Sequence, residues 1–547
     1  MKLLDLLKAI DPICVNALEA ERIRQSAERK KIDERPAPCA MRHANLTDMD
    51  IESIHYRAQE VLPGGMFVAI KGQTADGHDF MHQALQKGAV AVVTQKEPPQ
   101  PYLNECLAQA VETHPIIIRV SDTRQAMADL AARFYGDPSE NMILIGITGT
   151  NGKTTVAYLI ESILLQAGYQ TGVIGTINYR YAGKTFNNPM TTPESLDLQR
   201  ILAQMRRAGV THVVMEASSH AMDLYRIRRC WFDVAVFTNL SQDHLDFHGD
   251  MPSYWSSKKR LFTEYLTQGP KSKRAAAVIN CNDPRGKELA DSLPMPVVKT
   301  GSSSDCEIKA ENYQCKLIGT TGKAATPGGS FDFKTPLVGV HNVENILNAV
   351  GVGSALNIAP HTIRDGIEAL SAIPGRLESI TNDTGRFVYV DYAHTPDALE
   401  NAISAIKEIA PARIICVFGC GGDRDPKKRP LMGEIVARLC DLSIVTSDNP
   451  RSEDPLAIIE QILPGVRQAK GVEYSSRDLK AGFEKKGFVV EPDRRRAIEL
   501  GINASRRDDA VLIAGKGHET YQILGNTTID FDDREEAREV LNKLNAN

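Results

Sequence analysis

Short apolar runs, each closed by a polar or glycine-rich stretch, recur along most of the chain. MFVAI at 66–70, AVAVV at 89–93 and PIIIRV at 115–120 read as buried strands alternating with helical stretches, which predicts a small α/β domain ending near residue 135. The turn-rich FYGDPSEN at 134–141 reads as a linker. MILIGIT then leads through a glycine-rich loop into the helix VAYLIESILLQAG, with Gly168 as its stop. HVVME, VAVFTNL and AAAVIN follow, giving the β-α-β rhythm of a parallel sheet covered by helices. After IPGR at 373–376, the strands in FVYVDYAH, IICVFGCGG, LSIVTSDNP and AVLIAGKG each run into a polar segment. That pattern predicts a second open α/β sheet with its working loops at the carboxyl ends of the strands. The opening MKLLDLLKAI reads as a short amphipathic helix and not a signal peptide, because Asp5, Lys8 and Asp11 interrupt the run and no small-residue cleavage site follows.

Length changes this picture only by setting the scale: 547 residues suggest about three domains. A hydrophobic fraction of 42% and a charged fraction of 24% are ordinary for a globular cytoplasmic protein. The net charge of -5 argues against a nucleic-acid binder, and the basic clusters Lys271 to Arg274 and Arg494 to Arg496 read as solvated helix ends or loops. No apolar stretch approaches the roughly 18 residues a membrane helix needs. Ten cysteines without a paired framework fit free thiols in a reducing compartment, and Cys416 and Cys420 have no second pair with which to hold zinc. Residues 20–36 are densely charged and read as an exposed helix or a partly disordered insert.

The strongest chemical signal is Thr148-Gly149-Thr150-Asn151-Gly152-Lys153-Thr154-Thr155, between a strand and a helix. Glycines let backbone N–H groups close around phosphate, the helix N-terminus adds positive potential, Lys153 reaches terminal phosphates and Thr154 suits Mg²⁺. The common P-loop pattern asks for glycine where Ile147 stands, so the assignment rests on the strand–loop–helix context. Glu216, after HVVME, and His244, after VAVFTNL, lie at strand ends where ligands gather and suit a second divalent cation. Taken singly, each is an ordinary loop polar group.

TGTNGKTT, MEASSHAMDLYR, FTNLSQDHLDFHGD, GVHNVEN, PGRLE, VDYAHTP, FGCGGDRDPKKRP, TSDNPR and AGKGHETYQ occur in one order. From about residue 45 to the C-terminus the chain resembles the Mur ligase family of bacterial cell-wall enzymes. The resemblance implies three domains: 1–136 for a uridine nucleotide, a central P-loop ATPase at 137–372 and a Rossmann-like domain at 373–547. It implies that ATP phosphorylates a substrate carboxylate and that an amine then displaces the phosphate. On it, Gly149 to Thr155 hold ATP phosphates; Thr154, Glu216, His244 and a carbamylated Lys258 hold Mg²⁺; and Asn342, Asn345, Arg376 and Asp391 lie near the nucleotide. Asn345 is also read as a helix-capping or packing residue.

The family's nucleotide-sugar contacts fall on Ile54, Tyr56, Gln73, Thr74, Ala75, Thr191, Thr192, Ser218, Leu224 and Arg226. Here His55-Tyr56-Arg57 stands where the family usually has Asp-Ser-Arg, which unsettles the uridine pocket; stacking of Tyr56 on the base is one alternative. The charged insert at about 20–40 has no family counterpart. Arg424, Asp448, Asn449, Pro450, Arg451, Gly515 and Glu519 match contacts to the incoming amino acid, and DNPR marks meso-diaminopimelate users. The implied acceptor is UDP-N-acetylmuramoyl-L-alanyl-D-glutamate, with the protein a cytoplasmic monomer that binds neither nucleic acid nor membrane. A lysine-adding ligase, a folate polyglutamate ligase and an inactive nucleotide-dependent regulator stand as alternatives, as does a structural salt bridge of Arg451 with Glu453 or Asp454.

Overall fold

The computed structural model describes residues 1–17, 49–72, 75–97, 115–409 and 411–546; the charged insert and the expected contacts Gln73 and Thr74 lie outside these. The chain divides into two compact units, the first made of Met1–Gly146, Gln170–Ala235 and Pro252–Ala275, the second of Ile147–Tyr169, Val236–Met251 and Ala276–Asn547.

In the first unit the apolar runs become a five-stranded sheet in the order Cys14–Ala17, Ile116–Arg119, Ala91–Thr94, Met66–Val68, Ile54–His55. Its first pairing is antiparallel and the others are parallel. Parallel strands are covered on both faces, so they carry unbroken apolar runs instead of alternating ones. One face packs on the helices Leu3–Leu7 and Thr123–Phe134, the other on the helix Met81–Gln86. Asp122 caps the second of these helices by accepting from the Arg124 and Gln125 amides, a device worth ~1 kcal/mol. The same unit holds the parallel pair Thr171–Ile174 and His212–Glu216, extended antiparallel by Tyr179–Tyr181 and Lys184–Phe186.

The strands Ile143–Thr148 and Val234–Phe237 run side by side: Asp233 N–H donates to Leu144 O at 2.8 Å in the first unit, and Thr238 N–H to Thr148 O at 3.0 Å in the second. In the second unit the helix Lys153–Gln166 packs against Val340–Ala355 and Pro360–Ala369, with the Ser162 hydroxyl donating to Gly366 O at 2.6 Å. The strands Ala276–Asn280 and Val297–Thr300 pair in parallel. Lys309–Lys316, Gly319–Thr326 and Gly329–Thr335 form an antiparallel sheet that the apolar pattern does not mark.

The four later apolar runs form the centre of a seven-stranded sheet ordered Glu378–Ile380, Phe387–Asp391, Ala510–Ala514, Ile414–Phe418, Leu442–Val445, Gly487–Val490, Val472–Glu473. Only its first pairing is antiparallel. One face is covered by Pro396–Glu408, Lys428–Leu439 and Pro455–Gln468, the other by Arg494–Ala504 and Asp533–Ala546, the doubly wound arrangement that gathers loops at the strand carboxyl ends.

Lys273, Arg274, Arg495 and Arg496 are exposed as expected, but one member of each basic cluster differs. Lys271 is buried on Asp233 at 2.6 Å, and Arg494 is buried on Asp533 at 2.6 Å, so each holds a charge pair inside the protein and is no solvated loop cation. Among the described residues, no helix is long and apolar enough to cross a membrane.

Candidate active site

In the second unit the P-loop bends sharply at two glycines. Gly149 has φ +149°, and a Cβ there would lie 1.9 Å from Thr238 Oγ1; Gly152 has φ +85°, and a Cβ there would lie 2.3 Å from Asn345 Oδ1. Both positions therefore exclude a side chain twice over, by conformation and by space. The segment Thr238–Ser241 clasps the loop: the Thr238 hydroxyl donates to Asn151 O at 2.6 Å, Asn151 N–H to Asn239 Oδ1 at 2.9 Å, and Ser241 N–H to Thr150 Oγ1 at 3.0 Å. Lys153 Nζ lies over the loop, donating to Gly149 O at 3.0 Å and Thr150 O at 2.8 Å. Arg376 Nη2 donates to Thr154 Oγ1 at 3.3 Å, and its guanidinium sits 5.2 Å from the Tyr392 ring centre. A lysine, an arginine and a hydroxyl thus converge at the start of a 14-residue helix, a donor set that fits a polyphosphate. Thr155 is buried beside them in the first turn.

Asn345 Nδ2 donates to Asn342 Oδ1 at 3.0 Å, and Asn342 Nδ2 to Val338 O at 2.8 Å, so the pair both packs its helix and faces Gly152. Asp391 accepts from Leu377 N–H at 2.6 Å and Ala393 N–H at 2.8 Å; burial raises its pKa, while Arg376 and these amides favour the carboxylate. It anchors the PGRLE turn that carries Arg376.

The remaining second-unit residues gather at the ends of the seven-stranded sheet. Asn449 Nδ2 donates to Glu519 Oε2 at 2.8 Å and its Oδ1 accepts from Ile523 N–H at 2.9 Å. Burial raises the pKa of Glu519, with Lys516, 3.2 Å away, opposing. A Cβ on Gly515 would lie 2.4 Å from Asp448 Oδ2, so only glycine admits the buried Asp448 there. Arg451, at φ +53°, follows Pro450 and donates through Nη1 to Gly422 O at 2.8 Å. A Cβ on Gly421 would meet Arg451 Nη1 at 2.9 Å and Arg424 Cγ at 3.9 Å, so the two arginines flank one glycine. Of the two acids in the salt-bridge alternative for Arg451, Glu453 is engaged by Arg429 at 2.8 Å and Asp454 caps the helix Pro455–Gln468 by accepting from Leu456 N–H.

In the first unit Glu216 is buried at its strand end, accepting from Thr176 N–H at 3.0 Å and from the Thr176 hydroxyl at 2.8 Å. Thr176 Oγ1 lies 3.1 Å from Thr191 Oγ1, so the surroundings are oxygen-rich, the chemistry Mg²⁺ prefers. The Thr192 hydroxyl donates to Glu216 O at 2.8 Å and receives Ser218 N–H at 3.1 Å, while Ser218 Oγ caps the helix Ser219–Asp223, after which Leu224 follows. Lys258 is buried in the helix Met251–Arg260, its ammonium 4.3 Å from the Tyr254 ring centre. The Tyr56 hydroxyl donates to Asp197 Oδ2 at 2.7 Å, with Arg57 over its ring; Ile54 points into the core, and Ala75 is exposed.

Of the other metal candidates, Thr154 and His244 belong to the second unit, His244 with Nε2 3.4 Å from Asp243. Among the described residues, no three His, Cys, Asp or Glu side chains are grouped to hold a metal ion. Sequence reasoning missed Thr176, the clasp Thr238–Ser241 and Lys516. Thr176 and Thr238 each stand just past a strand, where ligand-facing groups collect, but a threonine there has too many ordinary uses to be singled out.

Three family models match: Mur ligase family, catalytic domain, at residues 50–135; Mur ligase middle domain at 147–353; and Mur ligase, glutamate ligase domain, at 375–517. A Geobacter metallireducens protein named UDP-N-acetylmuramoyl-L-alanyl-D-glutamate--2,6-diaminopimelate ligase is 48% identical over 498 residues, covering 91% of this chain and 95% of that one. A Geobacillus thermodenitrificans protein of the same name is 40% identical, with coverages of 89% and 94%. A solved structure bearing that name shares 30% identity at a TM-score of 0.65, over 92% of this chain and 97% of that one. The Thermotoga maritima MurF ligase in complex with ADP shares the fold at a TM-score of 0.58 and 19% identity, over 91% and 98% of the two chains. With relatives this similar along nearly its whole length, the chain belongs to the Mur ligase family.

Proposed function

We propose that the chain joins meso-diaminopimelate to UDP-N-acetylmuramoyl-L-alanyl-D-glutamate, using ATP, in cytoplasmic synthesis of the peptidoglycan precursor. The names of relatives at 48% and 40% identity support the reaction. The family matches at 50–135, 147–353 and 375–517 support domains at 1–136, 137–372 and 373–547.

In this reading a glutamyl carboxylate oxygen attacks the γ-phosphorus of ATP and ADP leaves. The free amine of the amino acid then attacks the acyl carbon of the resulting acyl-phosphate, phosphate leaves with the bonding pair, and the nitrogen gives up a proton to leave the amide. Lys153 and the P-loop amides hold the phosphates, Arg376 approaches from the PGRLE turn, and Thr192, Ser218 and Arg226 orient the acceptor. Mg²⁺ would neutralise the phosphate charge, and Thr154, in the same unit as the P-loop, would be one of its ligands.

The observation that carries the choice of amino acid is the Arg451 guanidinium, fixed on Gly422 O at 2.8 Å beside Arg424 while Glu453 is taken by Arg429. Diaminopimelate differs from lysine by a distal carboxylate, which this pair of guanidiniums complements; Glu519 complements an ammonium. Losing a charged hydrogen bond costs roughly 1.5–3 kcal/mol, on the order of tenfold to a hundredfold in preference. Product formation at matched concentrations of meso-diaminopimelate and lysine tests this for the wild type and Arg451→Ala. The wild type should favour diaminopimelate and the variant should lose that margin. Equal or better use of lysine by the wild type would overturn the amino-acid assignment, and phosphate release independent of the acceptor would overturn the ligase.

A further inference from the structure

In the first unit a chain of polar contacts runs between two segments far apart in sequence. Arg124, in the first turn of the helix Thr123–Phe134, donates through Nη2 to Lys71 O at 2.9 Å and through Nη1 to Glu194 Oε2 at 3.1 Å. The other oxygen of Glu194 takes Arg226, with Nη2 at 2.9 Å and Nε at 3.1 Å. Arg226 Nη1 in turn donates to Thr192 O at 3.2 Å. The three side chains are withdrawn from water, at 16%, 9% and 12% exposure for Arg124, Glu194 and Arg226, so the two ion pairs are little screened, while the bond to Lys71 O is exposed.

The two ends of this chain fall on different parts of one expected ligand. Lys71 pairs with Asp76, Gly72 N–H donates to Ala75 O at 2.9 Å, and Ala75 is an expected substrate contact within 1–136, the stretch expected to take the uridine nucleotide. Thr192 and Arg226 are expected contacts to the nucleotide-sugar peptide and lie outside that stretch. We infer that Arg124 and Glu194 are positioning residues that hold the backbone at Lys71, on the uridine side, and Arg226 at a fixed separation, so that one substrate spans both. This deepens the proposed function and rests on it.

The chemistry of the three groups supports that role. Glu194 offers two oxygens and each is used by a different arginine, so it orients both forks at once. Two guanidiniums on one carboxylate leave one positive charge in excess, suited to an anionic ligand. Arg226 has five N–H bonds, of which the three contacts above use three. Among these residues Arg124 alone reaches the Lys71 carbonyl, so its loss releases that carbonyl while Glu194 keeps Arg226.

Steady-state kinetics with two acceptors test the inference: the full UDP-linked muramoyl dipeptide, and muramoyl dipeptide 1-phosphate, which lacks the uridine. Wild type, Arg124→Gln, Arg124→Lys and Glu194→Gln are compared, each checked for an unchanged thermal midpoint. Arg124→Gln should raise KM for the UDP-linked acceptor about tenfold, leave kcat and KM for ATP within about twofold, and barely affect the uridine-free acceptor. Arg124→Lys, which can keep one contact but not both, should fall between. Glu194→Gln should raise KM for both acceptors, because Arg226 loses its anchor. Equal proportional losses with both acceptors in either Arg124 variant, or a fall in kcat without a change in KM, would overturn the inference. A wild type inactive on the UDP-linked acceptor would instead overturn the proposed function, so the two failures are distinguishable.

Discussion

Lys153 and Lys258 are both lysines brought close to the chemistry, yet their surroundings differ in kind. Lys153 is solvated by the carbonyls of its own loop, Gly149 and Thr150, so its ammonium is held where phosphate oxygens would replace those carbonyls. Lys153→Ala should therefore fold normally and lose turnover by at least two orders of magnitude, since such a group supplies about 3 kcal/mol or more. Near-normal turnover in the folded variant would remove the P-loop from the reaction. Lys258, by contrast, is buried at 1% exposure with its ammonium against the Tyr254 ring. A buried lysine releases its proton more readily, and the free amine can add CO₂ to give a carbamate and a proton. Lys258→Ala should lose most activity and regain part of it when a short carboxylic acid is added in the place of the carbamate. Full activity without the acid would take Lys258 out of the mechanism, and mass spectrometry of the native wild type should find the CO₂ adduct.

At the scale of elements, the loop after the strand Leu442–Val445 is fixed by the helix Lys428–Leu439. Arg429 at the start of that helix grips Glu453 with Nη1 and Nη2 at 2.9 and 2.8 Å, and Glu453 also accepts from Asp423 N–H. The Arg429 hydrogen bonds, then the Asp423 amide, bring the Glu453 pKa down from 4.5 to about 2. A depressed carboxylate pKa stabilises the fold above the unfolded value and loses that contribution as pH falls through the folded one. The gap in denaturation midpoint between wild type and Glu453→Gln should thus be constant from neutral pH to about 5 and close between 4.5 and about 2. A gap that persists unchanged below that window would assign the loss to packing.

The same elements show what was legible in the sequence. The runs IICVF, LSIV and AVLIA announce buried parallel strands because both faces are covered and the hydrophobic run is unbroken. The sheet Lys309–Thr335 was not legible: its strands KAENYQCK, GTTGKAAT and GSFDFKT carry lysine, glycine and threonine, and several positions are exposed. Within the site, residues with a distinctive chemistry at a strand end, such as Lys153, Glu216 and Arg451, could be singled out. Thr238, Asn239 and Thr176 could not, because a threonine or asparagine in a loop has many ordinary uses, and only its partners in space reveal that it clasps the P-loop or holds Glu216.

For the whole molecule, the division into two compact units sorts the expected ligands. The nucleotide residues Gly149–Thr155, Asn342, Asn345, Arg376 and Asp391, and the amino-acid residues Arg424, Asp448–Arg451, Gly515 and Glu519, all belong to the second unit. The described acceptor residues Ile54, Tyr56, Ala75, Thr191, Thr192, Ser218, Leu224 and Arg226 all belong to the first. A ligand stabilises only the states that bind it, by about 2.7 kcal/mol at a hundredfold excess over Kd. Local openings are suppressed by the same factor, about a hundredfold, where the opening breaks the site. Hydrogen exchange read by mass spectrometry can therefore weigh each unit separately. A non-hydrolysable ATP analogue with Mg²⁺ should slow exchange first around the P-loop, the segment 238–241 and the helix Val340–Ala355. The UDP-linked dipeptide alone should slow it around Ala75, the helix Ser195–Arg207 and the segment 216–226. Diaminopimelate should act near Arg424, Arg451 and Glu519, and lysine should act there less. Protection by the ATP analogue centred on the first unit, or by the acceptor on the second, would contradict the assignment of sites even if the purified protein proved to be an active ligase.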